Sequence, residues 1–419
     1  MHKAPRGTFD ILPQEHVYWK YVEEKAVALC QIYGYLPLST PVFEDAQIFT
    51  KTVAGGTDIV DKEMYIFEDK SGQELALRAE GTAPVCRAYL EHGLFNLPQP
   101  VRLYYIGPAF RYERPQSGRY RQHHQFGFEA LGEADPALDA EVVEMARHFF
   151  CSLGISQFII QLNSIGCKLC RPGYLDVLKQ HYSDYTDHLC PDCKVRLVKN
   201  PLRLLDCKKP ACQEIAKTAP KITDYLCHEC RLHFQSVQRY LEVMHITFQL
   251  NPRLVRGLDY YTRTVFEVEP RENEGQSTLG GGGRYDNLIE ELGGKPTPAV
   301  GFAAGLERII LNLKKQKLSI PALPGPDVFI AHLEGDAKIE AMKLASELRK
   351  AGIAVIMATG DKSLRGQMRQ ADSLDIAYAL IIGEEEVSKR NVMLRDMRSG
   401  EQKTIPLAEI AAFLKQLRM

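Results

Sequence analysis

The chain has 419 residues, enough for two or three domains with well-buried cores. It is 45% hydrophobic and 25% charged with a net charge of −1, so a nucleic-acid contact has to come from local basic patches and not from a basic chain. The run MHKAPRGTFDILP has no apolar stretch of signal-peptide length, and no segment reaches the roughly 18 uninterrupted apolar residues of a membrane span. Eleven cysteines without a secretory signal argue for thiols or metal ligands in a reducing compartment. A cytoplasmic location is the expectation.

The first block covers residues 1–165 and resumes over 242–318. A helix over 15–33, closed by Gly34, leads into a strand over 36–43 that contains Pro41. Proline there fits an edge or an interface better than a central strand. Short strands follow over 65–68 and 75–77. Residues 77–82, LRAEGT, then place an acid and a hydroxyl around a glycine at a strand-to-helix turn. Glu80 and Thr82 read either as a plain helix cap, or as an acceptor for an ammonium group with a hydroxyl beside the ligand.

A hairpin comes next. Its outgoing strand, 101–112, is apolar until it delivers Arg111, and the return strand covers 122–131. The stretch FRYERPQSGRYRQHHQFGFE carries Arg111, Arg114, Arg119 and Arg121. Gln125, Gly127 and Glu129 fall at i, i+2 and i+4 and share one face. Gly127 leaves a gap there in which a small molecule fits. An arginine fork and a carboxylate on one hairpin suit a ligand with a phosphate at one end and a hydrogen-bond donor at the other. A solvated, charge-rich ribbon has the same composition. Strands joined by a short hairpin imply an antiparallel sheet and not a βαβ repeat.

Residues 166–241 differ in composition. They hold eight of the eleven cysteines and read as mainly helical, as over 222–241, and they interrupt the first block as an insertion. The cysteines pair as Cys167/Cys170, Cys190/Cys193, Cys207/Cys212 and Cys227/Cys230. Three pairs are CxxC, the spacing by which a tight turn presents two thiolates to one tetrahedral ion. Eight thiolates could fill two structural zinc sites; ordinary buried cysteines or redox-labile pairs are the other readings. Nothing nearby supplies a context for catalysis by these cysteines.

Three further runs follow. RGLDYYTRTVFE begins at Arg256 and enters a strand after Tyr260 and Tyr261, either as a phosphate contact beside an aromatic pocket wall or as a surface arginine and two core tyrosines. GGGGRYD (280–286) has four glycines that are costly to order and let a backbone approach a ligand closely. Lacking a lysine-hydroxyl ending it is not a Walker loop, and its structured neighbours favour a pocket floor over a flexible loop. In GFAAGLER (301–308) a small-residue strand enters a helix with Arg308 in the first turn. An arginine placed so can cover a base or hold a phosphate, and a tightly packed core strand is the competing view.

A Pro/Gly linker over 319–326 precedes the third block, 327–419. Strands over 327–333, 353–358 and 377–382 alternate with helices over 336–351 and 363–374. That pattern is a small α/β domain with a mostly parallel sheet. Lys362, Arg365 and Arg369 make the second helix basic, as a phosphate-facing surface or a solvated face.

In their joint order these motifs resemble the class II aminoacyl-tRNA synthetases, and most specifically the histidyl-tRNA synthetase family, over nearly the whole chain. Pro41 fits the class's first motif, the Arg111 hairpin its second and GFAAGLER its third. RGLDYYTRTVFE and GGGGRYD are similar to the two histidine-specific signatures. The resemblance implies an α+β catalytic core with an antiparallel sheet flanked by helices, a cysteine-rich helical insertion and a C-terminal α/β anticodon-binding domain. It implies a homodimeric ligase that uses ATP and Mg2+, activates L-histidine and charges histidine tRNA.

By that resemblance Arg111, Arg256 and Arg308 carry the chemistry, and Arg111, Arg119 and Arg308 grip ATP. The histidine pocket would comprise Glu80, Gly81, Thr82, Arg111, Gln125, Glu129, Arg256, Tyr260 and Tyr261. Glu80, Thr82 and Gln125 would hold the α-amino group, while Glu129 and Tyr261 would read the two imidazole nitrogens. Arg256 would lie at the α-phosphate. Arg114 and Gln116 are candidates for the tRNA acceptor end, and Lys362, Arg365 and Arg369 for contacts elsewhere on the tRNA. The alternative is a non-catalytic relative, such as the regulatory subunit of ATP phosphoribosyltransferase, which typically lacks the C-terminal domain and parts of the ATP and histidine signatures.

Overall fold

The computed structural model describes residues 2–52, 63–114, 118–271, 278–360 and 362–417. The chain divides into two units, Met1–Pro321 and Ala322–Met419.

The first unit opens with α1 (His16–Ile32), β1 (Leu36–Pro37), β2 (Phe43–Asp45), α2 (Gln47–Thr52), β3 (Ile66–Glu68) and β4 (Glu74–Leu77). It continues through α3 (Thr82–Glu91), β5 (Val101–Phe110), β6 (Gln122–Leu131), α4 (Pro136–Ser152) and β7 (Phe158–Ser164). The cysteine-rich stretch supplies α5 (Arg171–Ser183), α6 (Pro191–Lys199), α7 (Pro210–Lys217) and α8 (His228–Val243). The core then resumes with β8 (Gln249–Leu250), β9 (Thr262–Pro270), β10 (Gly280–Arg284), α9 (Leu288–Glu291), β11 (Ala299–Gly305) and α10 (Leu306–Lys315).

Among the described residues an eight-stranded sheet runs β1-β5-β6-β11-β10-β9-β7-β8. The pairs from β5 to β7 are antiparallel, and only the two-residue strands β1 and β8 pair parallel at the edges. Alternation divides the strands between two faces. Phe126, Phe128, Phe266, Val300 and Phe302 join the buried cluster formed with α1, α4, α8 and α10. Gln125, Gly127 and Glu129 point to the other face, where β11 sets Gly305, Ala303 and Gly301 opposite them. A large apolar face therefore backs a polar face lined with small residues.

Two sequence expectations change here. Pro41 lies in the connection between β1 and β2, which belong to different sheets, and not inside a strand. The helix expected over 222–241 is a 3-10 turn, Ile222–Tyr225, followed by α8 from His228. The four glycines form central strand β10, where a Cβ on Gly282 would stand 2.0 Å from the Gly301 carbonyl oxygen. Close approach of backbones, not looseness, is what requires glycine at that position.

Arg284, the residue after the glycines, is fully buried in the Asp139 carboxylate, with Nη1 also donating to the Glu133 carbonyl at 2.8 Å. His233 Nε2 stands 3.1 Å from the same carboxylate. This cluster ties β10 to α4 and α8, and the paired arginine holds the Asp139 carboxyl down at about 2.

The second unit comprises β12 (Val328–His332), α11 (Asp336–Lys350), β13 (Val355–Met357), α12 (Leu364–Ser373), β14 (Tyr378–Ile382), α13 (Glu384–Lys389), β15 (Asn391–Asp396), β16 (Gln402–Pro406) and α14 (Ile410–Leu417). Its sheet runs β13-β12-β14-β15-β16. The first three strands are parallel and the last two antiparallel, so the sheet is mixed where a mostly parallel one was expected. Val328 and Ile330 pack with Leu344, Leu348 and Ile410, while Phe329 and Ala331 pack with Ala371 and Ile376 on the other face.

Candidate active site

The polar face of the large sheet carries a cavity of about 310 Å³. Glu80, Thr82, Arg111, Arg119, Gln125, Arg256, Tyr260, Tyr261 and Arg308 line it, so one site gathers residues from the start of α3, the hairpin, β6, the Arg256 loop and α10. Gly280 and Gly281 form part of its wall. A Cβ on Gly281 would lie 2.5 Å from Arg256 Nη1, so the bare backbone is what lets that guanidinium settle on the sheet.

At the inner end Glu80 caps α3, its carboxylate accepting from Thr82 N at 2.6 Å and Ala83 N at 2.8 Å. Tyr260 donates to the same carboxylate at 3.4 Å. Thr82 does not cap the helix; its hydroxyl donates to Glu129 Oε1 at 2.7 Å. Tyr285, which follows the glycines in GGGGRYD and has no role assigned from the sequence, donates to Glu129 Oε2 at 2.5 Å. Burial pushes the Glu129 carboxyl up to about 8, against the lowering effect of these two donors. Glu129 and Gly81 stand behind the cavity wall, and Gln125 Oε1 is buried with no hydrogen-bond partner among the described residues.

Gly127 is not a gap. Tyr105 pairs with it across β5 and β6, and its ring lies where side chains at Gly127 and Gly81 would be, at 2.4 Å and 2.1 Å from their ideal Cβ positions. The two glycines make room for this tyrosine.

The outer end is cationic. Arg256 is ion-paired with Glu267, which leaves its Nε buried and unpartnered among the described residues. Its guanidinium carbon lies 5.7 Å from the Tyr261 ring centre. Arg111 donates through Nε to the Ala79 carbonyl at 2.9 Å, and Arg308 through Nε to the Gly118 carbonyl at 3.0 Å. These bonds aim each fork while leaving other donors for a ligand. Arg119 faces Glu113 at 3.3 Å. His123, also in the wall, is held neutral: burial and the charges of Arg111 and Arg308 push its imidazole down to about 3.

The remaining candidates lie elsewhere. Arg114 is exposed, and Gln116 lies outside the described residues. Arg365 and Arg369 are exposed on α12, whereas Lys362 precedes that helix and donates to the Gln370 side chain at 2.9 Å.

The eight cysteines gather into two groups of four, Cys167/Cys170/Cys227/Cys230 and Cys190/Cys193/Cys207/Cys212, with all sulfurs of a group within 4.8 Å of one another. Cys167 and Cys170 sulfurs are 3.8 Å apart, Cys167 and Cys227 sulfurs 3.9 Å, and Cys190 and Cys207 sulfurs 3.9 Å. Four sulfurs at about 2.3 Å from a common centre define a tetrahedron with edges of about 3.8 Å. Backbone N–H groups of Cys167, Leu169, Cys190 and Lys209 donate to sulfurs of these groups at 3.3–3.5 Å, favouring thiolates. The donor set and spacing fit a metal ion.

An antiparallel sheet presenting arginines to a buried carboxylate end is the architecture implied by resemblance to a class II synthetase. The sequence model for histidyl-tRNA synthetase matches residues 7–168 and 209–309, and that for the anticodon binding domain matches 327–417. A protein of Dehalococcoides mccartyi named histidine–tRNA ligase is 55% identical over 416 residues, covering 99% of this chain and 100% of its own. The apo histidyl-tRNA synthetase of S. aureus superposes with a TM-score of 0.83 at 36% identity, covering 99% of this chain and 100% of its own. A Bacillus halodurans protein titled ATP phosphoribosyltransferase regulatory subunit/histidyl-tRNA synthetase shares the fold at 22% identity and TM-score 0.65, covering 91% of this chain and 98% of its own. The chain belongs to the histidyl-tRNA synthetase family.

Proposed function

We propose that this chain activates L-histidine with ATP, releasing pyrophosphate, and transfers histidine from the adenylate to the 3′ end of histidine tRNA. The observation that carries this reading is the polarity of one cavity: Arg111, Arg119, Arg256 and Arg308 at the outer end, and Glu129 with two donors of its own behind the inner end. A neutral imidazole offers one donor and one acceptor, and a carboxylate beside the Tyr261 phenol supplies a partner for each. Glu80 and the unpartnered Gln125 oxygen suit the α-ammonium group. An apolar isostere would leave buried polar groups unmatched, which is the basis of rejection.

The histidine carboxylate attacks the α-phosphorus, and the bond to pyrophosphate breaks. Arg256 and Arg111 stabilise the charge that develops there, and Arg308 holds the base and γ-phosphate end. Magnesium enters on the ATP phosphates. Glu267 acts through Arg256 by fixing its guanidinium from beneath.

We assign catalysis to 1–165 and 242–318 with 166–241 as an insertion, and tRNA anticodon binding to 327–419, reached by a linker over 319–326. Arg114, Gln116, Lys362, Arg365 and Arg369 are the proposed tRNA contacts. A cytoplasmic homodimer and a zinc ion in each cysteine group complete the reading. No helix among the described residues is long and apolar enough to cross a membrane. The regulatory-subunit reading is weaker, because the chain keeps Arg111, Arg256 and Arg308 together with a match to the anticodon binding domain. Histidine-dependent exchange of labelled pyrophosphate into ATP is the test: histidine alone among the amino acids should support it. No exchange from folded protein would overturn the assignment.

A further inference from the structure

The Arg256–Tyr261 stretch supplies four side chains to the cavity, Arg256, Leu258, Tyr260 and Tyr261, yet residues 251–261 form no helix or strand of their own. Besides the Arg256–Glu267 ion pair and the Tyr260–Glu80 bond, three side chains of the cysteine-rich segment hold this loop. Arg171 donates through Nη2 to the Tyr261 carbonyl at 2.5 Å, and it is anchored by further bonds to the Ile165 carbonyl at 3.0 Å and the Gly166 carbonyl at 3.1 Å. Asn200 Nδ2 donates to both oxygens of the Asp259 carboxylate, at 2.8 and 2.9 Å. Arg203 Nη1 donates to the Arg256 carbonyl at 3.3 Å. From the sheet itself, Asn163 adds a bond to the Leu254 carbonyl at 3.0 Å.

Each of the three contacts from the cysteine-rich segment is tied closely to a thiol group. Arg171 directly follows Cys170. Helix α6 starts beside Cys190, carries Cys193, and is followed directly by Asn200 as its C-cap. Arg203 is ion-paired at 3.3 Å with Asp206, the residue before Cys207. The helices between these points are short, so four-point ligation would contribute much of what fixes their ends.

We propose that the two cysteine groups, each closed on a zinc ion, anchor the histidine loop, with Arg171, Asn200 and Arg203 as positioning residues that set the pose of Arg256, Asp259 and Tyr261. This rests on the zinc reading above but goes beyond it. A merely structural metal would stabilise the insertion without altering how histidine is bound. Here, losing the metal loosens Tyr261 and Arg256 together, so histidine affinity and the activation rate fall while the Arg308 side of the ATP site is spared.

The test uses the full chain. Metal content is measured on protein isolated without chelators, and two zinc ions per chain are expected. Zinc is then stripped under reducing conditions and restored, with histidine and ATP kinetics followed by pyrophosphate exchange and amide exchange followed over 256–261. Stripping should lower kcat/KM for histidine at least about ten-fold, the weight of one charge-assisted hydrogen bond, leave the KM for ATP within about two-fold, and speed amide exchange in the loop. Zinc should reverse all three effects. Because stripped protein can unfold, Asn200→Ala is examined beside it. That variant should keep two zinc ions and raise the histidine KM about ten-fold, whereas Asp259→Asn, which still accepts from Asn200, should retain most of the affinity. Fewer than one zinc ion per chain overturns the zinc reading and, with it, this proposal. Two zinc ions, with unchanged histidine KM and loop exchange in both the stripped protein and Asn200→Ala, overturn the coupling.

Discussion

Replacing Tyr285 with phenylalanine removes one oxygen and leaves the ring in the core, so its effect isolates the hydrogen bond to Glu129. That bond, 2.5 Å long, is made to a carboxylate buried to 1% exposure. A hydrogen bond to a charged group contributes about 1.5–3 kcal/mol, mostly in favour of the ionised form. Its loss should raise the Glu129 pKa from about 8 by about one to two pH units, since the tyrosine does most to offset the effect of burial. If histidine binds the ionised carboxylate, the wild-type and variant KM values diverge at low pH and converge at high pH. The histidine KM of Tyr285→Phe should therefore be about ten- to a hundred-fold above wild type at pH 7, and the ratio should shrink as pH rises through 8 to 9. Titration of free histidine cancels in that ratio. Pyrophosphate exchange over pH 6.5–9 measures it, with the KM for ATP as control. A ratio within two-fold at pH 7, or equal ratios at pH 7 and 9, would refute the role given to Glu129.

Other perturbations give separate readouts. In Gly301→Ala the new Cβ would stand 1.6 Å from Glu129 Oε2, so the carboxylate has to move; histidine-dependent exchange should fall about a hundred-fold or more, and near-normal exchange would contradict the packing. Arg256→Ala should lower kcat for exchange about 10²–10³-fold while equilibrium dialysis shows histidine still bound; unchanged exchange would remove Arg256 from the reaction. Arg284→Met leaves Asp139 buried without its main counter-charge and should cost about 3–5 kcal/mol of stability, read as a lowered thermal midpoint. With the Asp139 carboxyl at about 2 in the folded chain and about 3.9 unfolded, its contribution is complete above about pH 4 and fades as pH falls toward 2. The variant should therefore lose most of its deficit in acid, and a deficit independent of pH would contradict the pairing.

The residue pattern carried some features of this molecule and not others, for physical reasons. Period-two alternation on β6 put Gln125 and Glu129 on one face, and that face is the one the cavity occupies or backs onto. The cysteine spacing foretold pairs, and the fold shows which pairs join: the first with the fourth, and the second with the third. What Gly127 accommodates was not legible, because an absent side chain makes room without naming its occupant, here Tyr105 from the neighbouring strand. Tyr285 was equally hidden, since its partner Glu129 is 156 residues away. The glycine run looked like a loop or a pocket floor because strand propensity disfavours glycine. Only the two flanking strands, pressing to within backbone contact, explain it as a strand. The clamps from Arg171, Asn200 and Arg203 arise from tertiary packing that no local spacing encodes.

The most direct test of the whole account is charging of a histidine tRNA transcript with labelled histidine. The account predicts ATP-dependent attachment of histidine at the 3′ end, lost in Arg256→Ala and Glu129→Ala and not given by other amino acids. Folded protein that supports no charging, or that charges this tRNA with another amino acid as readily, would contradict it.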